Sequence, residues 1–351
     1  MLNWRDPYNS LSGGAEKLNQ EIVEPLIERG DRVIWYSQAE NHLKKKEQKN
    51  GIMYIRFGNV LTHYLMWPIW LYTGKFGKVD LIIDCIHGTG YLTSIFAPRT
   101  KKVILICEVA QNIWDEMVGF PLNKIGKVWE RVIFKFYSLE EFWTISESTK
   151  KDLVRFGVTS SQITVLPMGF NAVKLTDTPQ KYSKATALYV GRLAEMKGIK
   201  DAIAAIAVVN NRAKRKWQLH IIGRGDEQYV QQLKELVHKE NMQEYISFLG
   251  FVSEKEKAEE MEKAWVLLVP SSREGWGMIV PESNFVGTPV IGYDVSGLRD
   301  VMKTYSRNNI LIKPQVDQIV KELLKMTKPS LINDKPKPGW QELHKYILGK
   351  I

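Results

Sequence analysis

The stretch WVLLVPSSREGWGMIVPESNFVGTPVIGYDVSG, residues 265–297, holds one full repeat of the fold. Its continuous apolar run, Trp265–Pro270, has the length and composition of a strand buried on both faces. A loop carrying Arg273, Glu274 and two glycines follows. Pro281 and Glu282 then open a short helix, because proline costs little in a first turn whose N–H groups lack partners anyway. A second apolar run, Thr288–Asp294, completes the unit. Strand, helix and strand in that order, with uninterrupted apolar strands, argue for a parallel sheet.

The pattern extends in both directions. Upstream lie ATALYVGR (185–192), WQLHIIG (217–223) and ISFLG (246–250), and downstream NNILIKP (308–314). Amphipathic stretches such as 226–241 and 253–264 alternate with them. The first half follows the same scheme, with strands expected at 31–37, 52–57, 80–86, 101–109, 142–146 and 162–169. Helical patterns fall at 14–30 and 126–141. The fold class expected is α/β, with two Rossmann-like, doubly wound parallel-sheet domains facing a central cleft. Ligands then belong at the carboxyl ends of the strands.

A length of 351 residues fits two domains. The polar segment 172–184 separates an N-terminal domain, 1–171, from a C-terminal domain, 185–327. A second breaker-rich segment, 328–339, precedes a terminal helix at 340–351, which is expected to cross back to the first domain. With 44% hydrophobic and 25% charged residues, the chain is neither disordered nor a disulfide scaffold. Cys85 and Cys107 sit in apolar runs and read as buried thiols of a reducing compartment. No Cys/His spacing fits zinc. The opening MLNWRDPYNS, with the charge pair Arg5/Asp6, has no apolar region of a secretory signal.

The net charge of +10 raises the question of an anionic partner. Residues before 170 include 21 basic and 18 acidic side chains, and those after it 28 and 21, so neither half is extreme. Lys44–Lys46 with Lys49, and Arg212–Lys216, read as solvated loops, and nothing accompanying them fits nucleic acid. The apolar stretch 60–76 is too short to span a bilayer. It reads as core packing, or with the Lys44–Lys49 loop as peripheral contact with an anionic membrane.

Four constellations carry chemistry. In the first, Gly275 and Gly277 admit close backbone approach, and the amides of Gly277, Met278 and Ile279 face an anion at a helix start. Glu274 and Glu282 bracket that anion, placed to grip hydroxyls on either side of it by charge-assisted hydrogen bonds. In the second, Arg192 and Lys197 follow a strand and neutralise a departing diphosphate. In the third, Gly13 and Gly14 open a helix and allow phosphate or sugar to approach. In the fourth, His87 lies just past a strand between glycines, placed to contact a sugar hydroxyl.

With these residues in place, the chain resembles the retaining glycosyltransferases of family 4, which have the GT-B fold. The resemblance runs through NWRDPYNSLSGGAE, His87, TISESTKKDL, LPMGFN, YVGRLAEMKG, IIGRGDE and EGWGMIVPE. Its specific part is a glutamate, seven residues and a second glutamate. The resemblance implies that Glu282 holds the nucleotide ribose and Glu274 hydroxyls of the donor sugar. It implies that Arg192 and Lys197 bind the diphosphate, that Gly14 lies beside diphosphate and acceptor, and that His87 adjoins the transferred sugar. Trp276 stands where the family usually has phenylalanine, Met168 where asparagine is common, and NNILIKP lacks a glycine. Only Met1 and Leu2 precede Asn3, so the first strand is expected to be short or clipped.

The activity implied is transfer of a sugar from a nucleotide-diphosphate sugar, UDP- or GDP-linked, to an acceptor hydroxyl with retention. Cell-surface polysaccharide or glycolipid assembly is the context, with a glycan or lipid-linked acceptor, in the cytoplasm or at the inner face of the membrane. No cofactor is expected, and no Asp-x-Asp is present to chelate a metal. Two alternatives stand beside this reading: a non-catalytic sugar-nucleotide-binding homologue, and a nicotinamide-dependent dehydrogenase. The glycines at Gly88 and Gly223 lack the third glycine and distal acid of the dinucleotide fingerprint.

Overall fold

A computed structural model describes residues 1–111, 114–115, 119–173, 175, 180–305, 309–329 and 336–351. Parts of the segments 172–184, 308–314 and 328–339 lie outside the described residues. The chain divides into two compact units, Met1–Gly169 with Trp340–Ile351, and Phe170–Gly339.

The second unit has a six-stranded sheet. Its strands are β8 (Ala185–Val190), β9 (Trp217–Ile222), β10 (Ile246–Gly250), β11 (Val266–Val269), β12 (Val290–Tyr293) and β13 (Asn309–Ile312). Every pairing is parallel, in the order β10-β9-β8-β11-β12-β13. Chain order therefore reverses direction between β8 and β11, and loops leaving those two strands diverge to open a crevice. The helices are α6 (Ile199–Arg212), α7 (Glu227–Lys239), α8 (Glu254–Lys263), α9 (Ile279–Phe285), α10 (Leu298–Thr304) and α11 (Val316–Lys325). One core packs α6, α7 and α11 against β8 and β9 through Ile203, Leu219, Leu233 and Leu323. Another packs α8, α9 and α10 on Leu188, Leu267 and Val290. Apolar side chains on both faces explain the unbroken apolar strands. Helix α9 starts at Ile279, two residues before Pro281, so the proline is third in the first turn and not its opening residue.

In the first unit, β1 (Val33–Ser37), β2 (Lys46–Lys49) and β3 (Ile52–Arg56) form one group of strands. A second group comprises β4 (Leu81–Cys85), β5 (Lys101–Ile106), β6 (Glu141–Thr144) and β7 (Ile163–Val165). The segment Met1–Asn3 joins them, because Leu2 bridges in parallel to both Tyr36 and Asp84. Its first three residues complete the ladder through Leu2 N to Ile83 O, Asn3 N to Tyr36 O and Tyr36 N to Met1 O. The short first strand is thus central. A cavity of about 690 Å³ lies against it, lined by Met1, Val33, Ile34, Leu71, Phe76 and Leu81.

Several expectations are corrected here. Lys46–Lys49 is no loop but an antiparallel edge strand on β3. Arg56 explains its formation: fully buried, it donates to Asp6 at 2.6 Å, to Glu47 at 3.2 Å and to the Lys44 carbonyl at 2.8 Å. Asp6 therefore pairs with Arg56 and not with Arg5, whose guanidinium lies over Trp4. Cys85 is buried, but Cys107 is only partly so.

The remaining helices of this unit are α1 (Gly14–Glu28), α2 (Thr62–Tyr72), α3 (Thr93–Phe96), α4 (Leu122–Ile133), α5 (Glu147–Arg155) and α12 (Gln341–Lys350). Helix α12 packs on this unit, with Tyr346 edge-on to Trp143 and His344 3.4 Å from Glu21. The apolar stretch 60–76 forms α2 and divides its faces: Trp67 is buried against Tyr91, while Leu65, Ile69 and Tyr72 are exposed. Among the described residues no helix is long and apolar enough to cross a membrane.

Candidate active site

At the reversal point of the second sheet, the loop after β8 and the loop after β11 are stitched together. Ser272 N donates to the Met196 carbonyl at 2.9 Å, and its hydroxyl reaches the same oxygen at 3.1 Å. Gly198, at φ +67°, lies so close to Pro270 that any Cβ would overlap the Pro270 carbonyl oxygen. That approach sets Lys197 Nζ 2.7 Å from Glu274 Oε1, which also accepts from Ser271 Oγ at 3.0 Å. Tyr189, buried at the end of β8, donates its hydroxyl to the Arg192 carbonyl at 3.1 Å and so shapes the same loop. Burial first, then the nearby Glu274 charge, raises the Tyr189 phenol far above its ordinary range, so it stays a neutral donor. Arg192 itself is exposed at the mouth of the loop.

A third loop supports the first two. Leu193 pairs as a bridge with Gly225, and Cβ atoms on Gly223 or Gly225 would overlap the Gly191 and Leu193 carbonyl oxygens. The glycines of IIGRGDE thus serve backbone-to-backbone packing under the Arg192 loop. Gly297, at φ +75°, likewise lies against the carbonyl oxygens of Glu274 and Gly275.

Helix α9 begins beside this assembly, with Gly277 at φ +86° turning the chain into it. The first N–H groups of a helix have no intrahelical acceptor. The amides of Gly277, Met278 and Ile279 stand at that end, within five residues of both Glu274 and Glu282. Glu282, buried in the first turn, is held by Lys257 of α8, whose Nζ lies 2.8 Å from Glu282 Oε2 and 2.7 Å from Glu254. Burial opposes the charge on Lys257, but Glu282 and Glu254 together more than offset it and raise its pKa. The sequence reading identified Arg192, Lys197, Glu274 and Glu282 and missed Lys257, Ser271 and Tyr189. The arrangement presents two cations and a row of amide donors, with a carboxylate at each end: a receptor for an anion flanked by hydroxyl-bearing groups.

In the first unit the corresponding reversal lies between Met1–Asn3 and β4. The loops leaving those strands bring Asn3, Trp4 and His87 together. Asn3 Oδ1 accepts from the Trp4 amide at 3.0 Å and faces His87 Nε2 at 2.9 Å. Since that oxygen already accepts one N–H, the imidazole carries its proton on Nε2 and leaves Nδ1 as an acceptor. Trp4 stacks on the ring at 5.2 Å. Burial, then the Arg5 charge, lowers the His87 pKa to about 4, so the ring is neutral near pH 7. Asn3 Nδ2 is buried without a partner. Gly13 and Gly14 are exposed at the start of α1, where Glu16 accepts the Gly13 amide at 2.8 Å.

Among the described residues, one group of three metal-ligating side chains occurs: Glu21, Glu24 and His344, with ligand atoms within 4.8 Å of one another. It joins α1 to α12.

Comparison with known proteins identifies the family and the fold. A profile of "Glycosyl transferases group 1" matches residues 176–336. The lipopolysaccharide 1,6-galactosyltransferase of Escherichia coli is 30% identical over 301 residues, covering 83% of this chain and 79% of that one. The chain belongs to the glycosyl transferase group 1 family. It is a glycosyltransferase of this retaining hexosyltransferase family, and the fold is GT-B. WaaG, a glycosyltransferase of lipopolysaccharide biosynthesis, superposes with a TM-score of 0.72 over 93% of this chain and 90% of its own, at 15% identity. HepE of Anabaena, solved with UDP-glucose, gives 0.69 over 92% and 87%, at 16% identity. As a group 1 glycosyltransferase the chain uses a nucleotide-sugar donor. The dehydrogenase alternative is thereby set aside.

Proposed function

We propose that the second unit binds a nucleotide-diphosphate hexose at the β8/β11 reversal, and that the enzyme transfers the hexose to an acceptor hydroxyl with retention. The observation that carries this reading is the Lys197–Glu274 pair at 2.7 Å, formed where the loops after β8 and β11 meet. Arg192 and Lys197 take the diphosphate, Glu282 the ribose hydroxyls, and Glu274 the hydroxyls of the sugar. Lys197 thus exchanges part of its internal pairing for the donor's charge. Relatives named for UDP-glucose and for galactosyl transfer favour a UDP-hexose over a GDP-sugar.

The chemistry requires that the bond between the anomeric carbon and the phosphate oxygen break, with its electron pair leaving on the diphosphate. Negative charge then grows where Arg192, Lys197 and the amides of Gly277, Met278 and Ile279 converge. The acceptor oxygen bonds to the anomeric carbon on the same face, and its proton passes to the departing phosphate oxygen. On this account no carboxylate nucleophile and no metal are required. On the first unit, neutral His87 accepts a hydroxyl of the transferred sugar at Nδ1, and Gly13 and Gly14 leave room for acceptor and diphosphate. The acceptor proposed is a lipid-linked or polysaccharide hydroxyl at the inner membrane face.

The test is turnover of UDP-galactose and UDP-glucose, followed by nucleotide release and by the anomeric configuration of the product. Losing one oxyanion-type donor costs about 3 kcal/mol of barrier, so Arg192→Ala lowers kcat by roughly a hundredfold or more. Normal turnover in that variant, or an inverted product, overturns the reading.

A further inference from the structure

An imidazole that must hold one orientation needs a partner on its second nitrogen, and a carboxylate there also draws a proton onto the ring. Asn3 supplies the orientation without the charge. Its Oδ1 accepts the His87 Nε2–H at 2.9 Å and the Trp4 amide at 3.0 Å, so the side-chain amide cannot turn over without losing both. Trp4 stacks on the imidazole with the ring planes 21° apart. The turn carrying His87 is tethered as well. His87 N donates to the Thr89 carbonyl at 3.2 Å, and Thr89 Oγ1 accepts the Trp129 indole N–H at 2.9 Å. Trp114 lies against Gly88, where a Cβ would overlap its ring.

Asn3 is fully buried, and among the described residues its Nδ2 has no partner. An orphaned buried donor is a standing cost to stability, and an apolar side chain at this position would remove it. The bond from His87 to Oδ1 explains why an amide stands there. The surrounding charges keep the ring neutral. Arg5 acts on it from across Trp4, while Asp84 of β4 is engaged by Tyr137 at 2.6 Å and Thr93 at 2.8 Å. We propose that Asn3 is the positioning residue of His87. It locks the imidazole as the neutral Nε2–H tautomer, so Nδ1 meets the substrate only as an acceptor and selects a sugar with a free hydroxyl at that point. The selectivity rests on the reading that His87 adjoins the transferred sugar; the lock itself does not.

The experiment begins with ¹⁵N-histidine NMR of the full chain, where one of six histidine signals is assigned to His87 by its loss in His87→Asn. A neutral Nε2–H ring is expected from pH 8 down to pH 5; an Nδ1–H or charged ring at pH 7 overturns the proposal. Asn3→Asp puts a carboxylate in the same place. The wild type should hold kcat/KM for a UDP-hexose level down to about pH 5. Asn3→Asp should lose it about tenfold per pH unit below a midpoint of about 6.5 or higher. An unshifted pH profile overturns the lock. Donors with one hydroxyl at a time replaced by fluorine test the selectivity, since fluorine cannot donate to Nδ1. One position should lose about a hundredfold or more in the wild type and much less in Asn3→Asp at pH 6, where the charged ring donates. Equal losses in both overturn it. If Asn3→Asp does not fold, Asn3→Ala replaces it, and mixed tautomers of His87 are expected; an unmixed Nε2–H signal overturns the lock. A wild type that no nucleotide sugar stabilises refutes the donor site, while the tautomer spectrum still decides the role of Asn3.

Discussion

Replacing Lys257 by methionine isolates the least expected part of the donor site. The methionine keeps the stem and removes the charge that sits 2.8 Å from Glu282. The two side chains are only 15% and 10% exposed. Breaking a fully buried pair costs about 3–5 kcal/mol, and an exposed one at most about 1. This pair lies between those limits, and solvent reaches both groups, so the expected loss is about 2 kcal/mol. For a unit of this size that corresponds to a melting temperature lower by roughly 4–8 °C. Glu282 also loses the cation that aims it, so a charge-assisted hydrogen bond to the ribose weakens. At about 1.5 kcal/mol, KM for the donor rises roughly tenfold while kcat changes little. Scanning fluorimetry and nucleotide-release kinetics measure the two effects. The double variant with Glu282→Gln supplies the coupling, expected near 1 kcal/mol or more. A K257M protein that melts like wild type, or a double variant that is simply additive, refutes the reasoning.

Three further outcomes follow from the same structure. Because the His87 pKa is depressed to about 4, the unfolded chain takes a proton below about pH 6.5 that the folded chain refuses until about pH 4. Stability therefore falls as pH drops through that window, by about 2–3 kcal/mol at its lower end. His87→Asn should flatten this part of a denaturation series; an unchanged pH profile contradicts it. Gly198→Ala forces a Cβ into the Pro270 carbonyl at a positive φ. It should cost about 2–4 kcal/mol and sharply reduce donor-induced stabilisation, and a wild-type melting curve would show that the two loops are not stitched as described. Appending three or four alternating apolar residues before Met1 extends the central strand into the 690 Å³ cavity. A melting temperature higher by several degrees is expected, and an unchanged or lower value refutes that fit.

The alternation of apolar strands with amphipathic helices made both sheets legible, because strands buried on two faces cannot hide in a hydropathy pattern. The carboxylates and cations at the β8/β11 reversal were legible for a related reason: strand ends and glycines mark where backbone meets ligand. The strand Lys46–Lys49 was not, since an edge strand facing water has the composition of a loop, and its register depends on Arg56 reaching Glu47. Lys257 was invisible inside SEKEKAEEMEKA, where only the packing of α8 against α9 singles out one lysine among three. Asp6 illustrates the same limit, since its partner stands 50 positions away.

The central claim is a nucleotide-sugar site held by Glu274, Glu282, Lys197 and Arg192. Thermal unfolding of the wild type and of Glu282→Gln, each with UDP-, GDP-, ADP- and TDP-sugars, with and without EDTA, tests it most directly. A donor at 100 times its dissociation constant stabilises the fold by about 2.7 kcal/mol. The account predicts such a shift for the wild type with a UDP-hexose, unchanged by EDTA and largely lost in Glu282→Gln. No shift with any nucleotide sugar, or an equal shift in the variant, contradicts it.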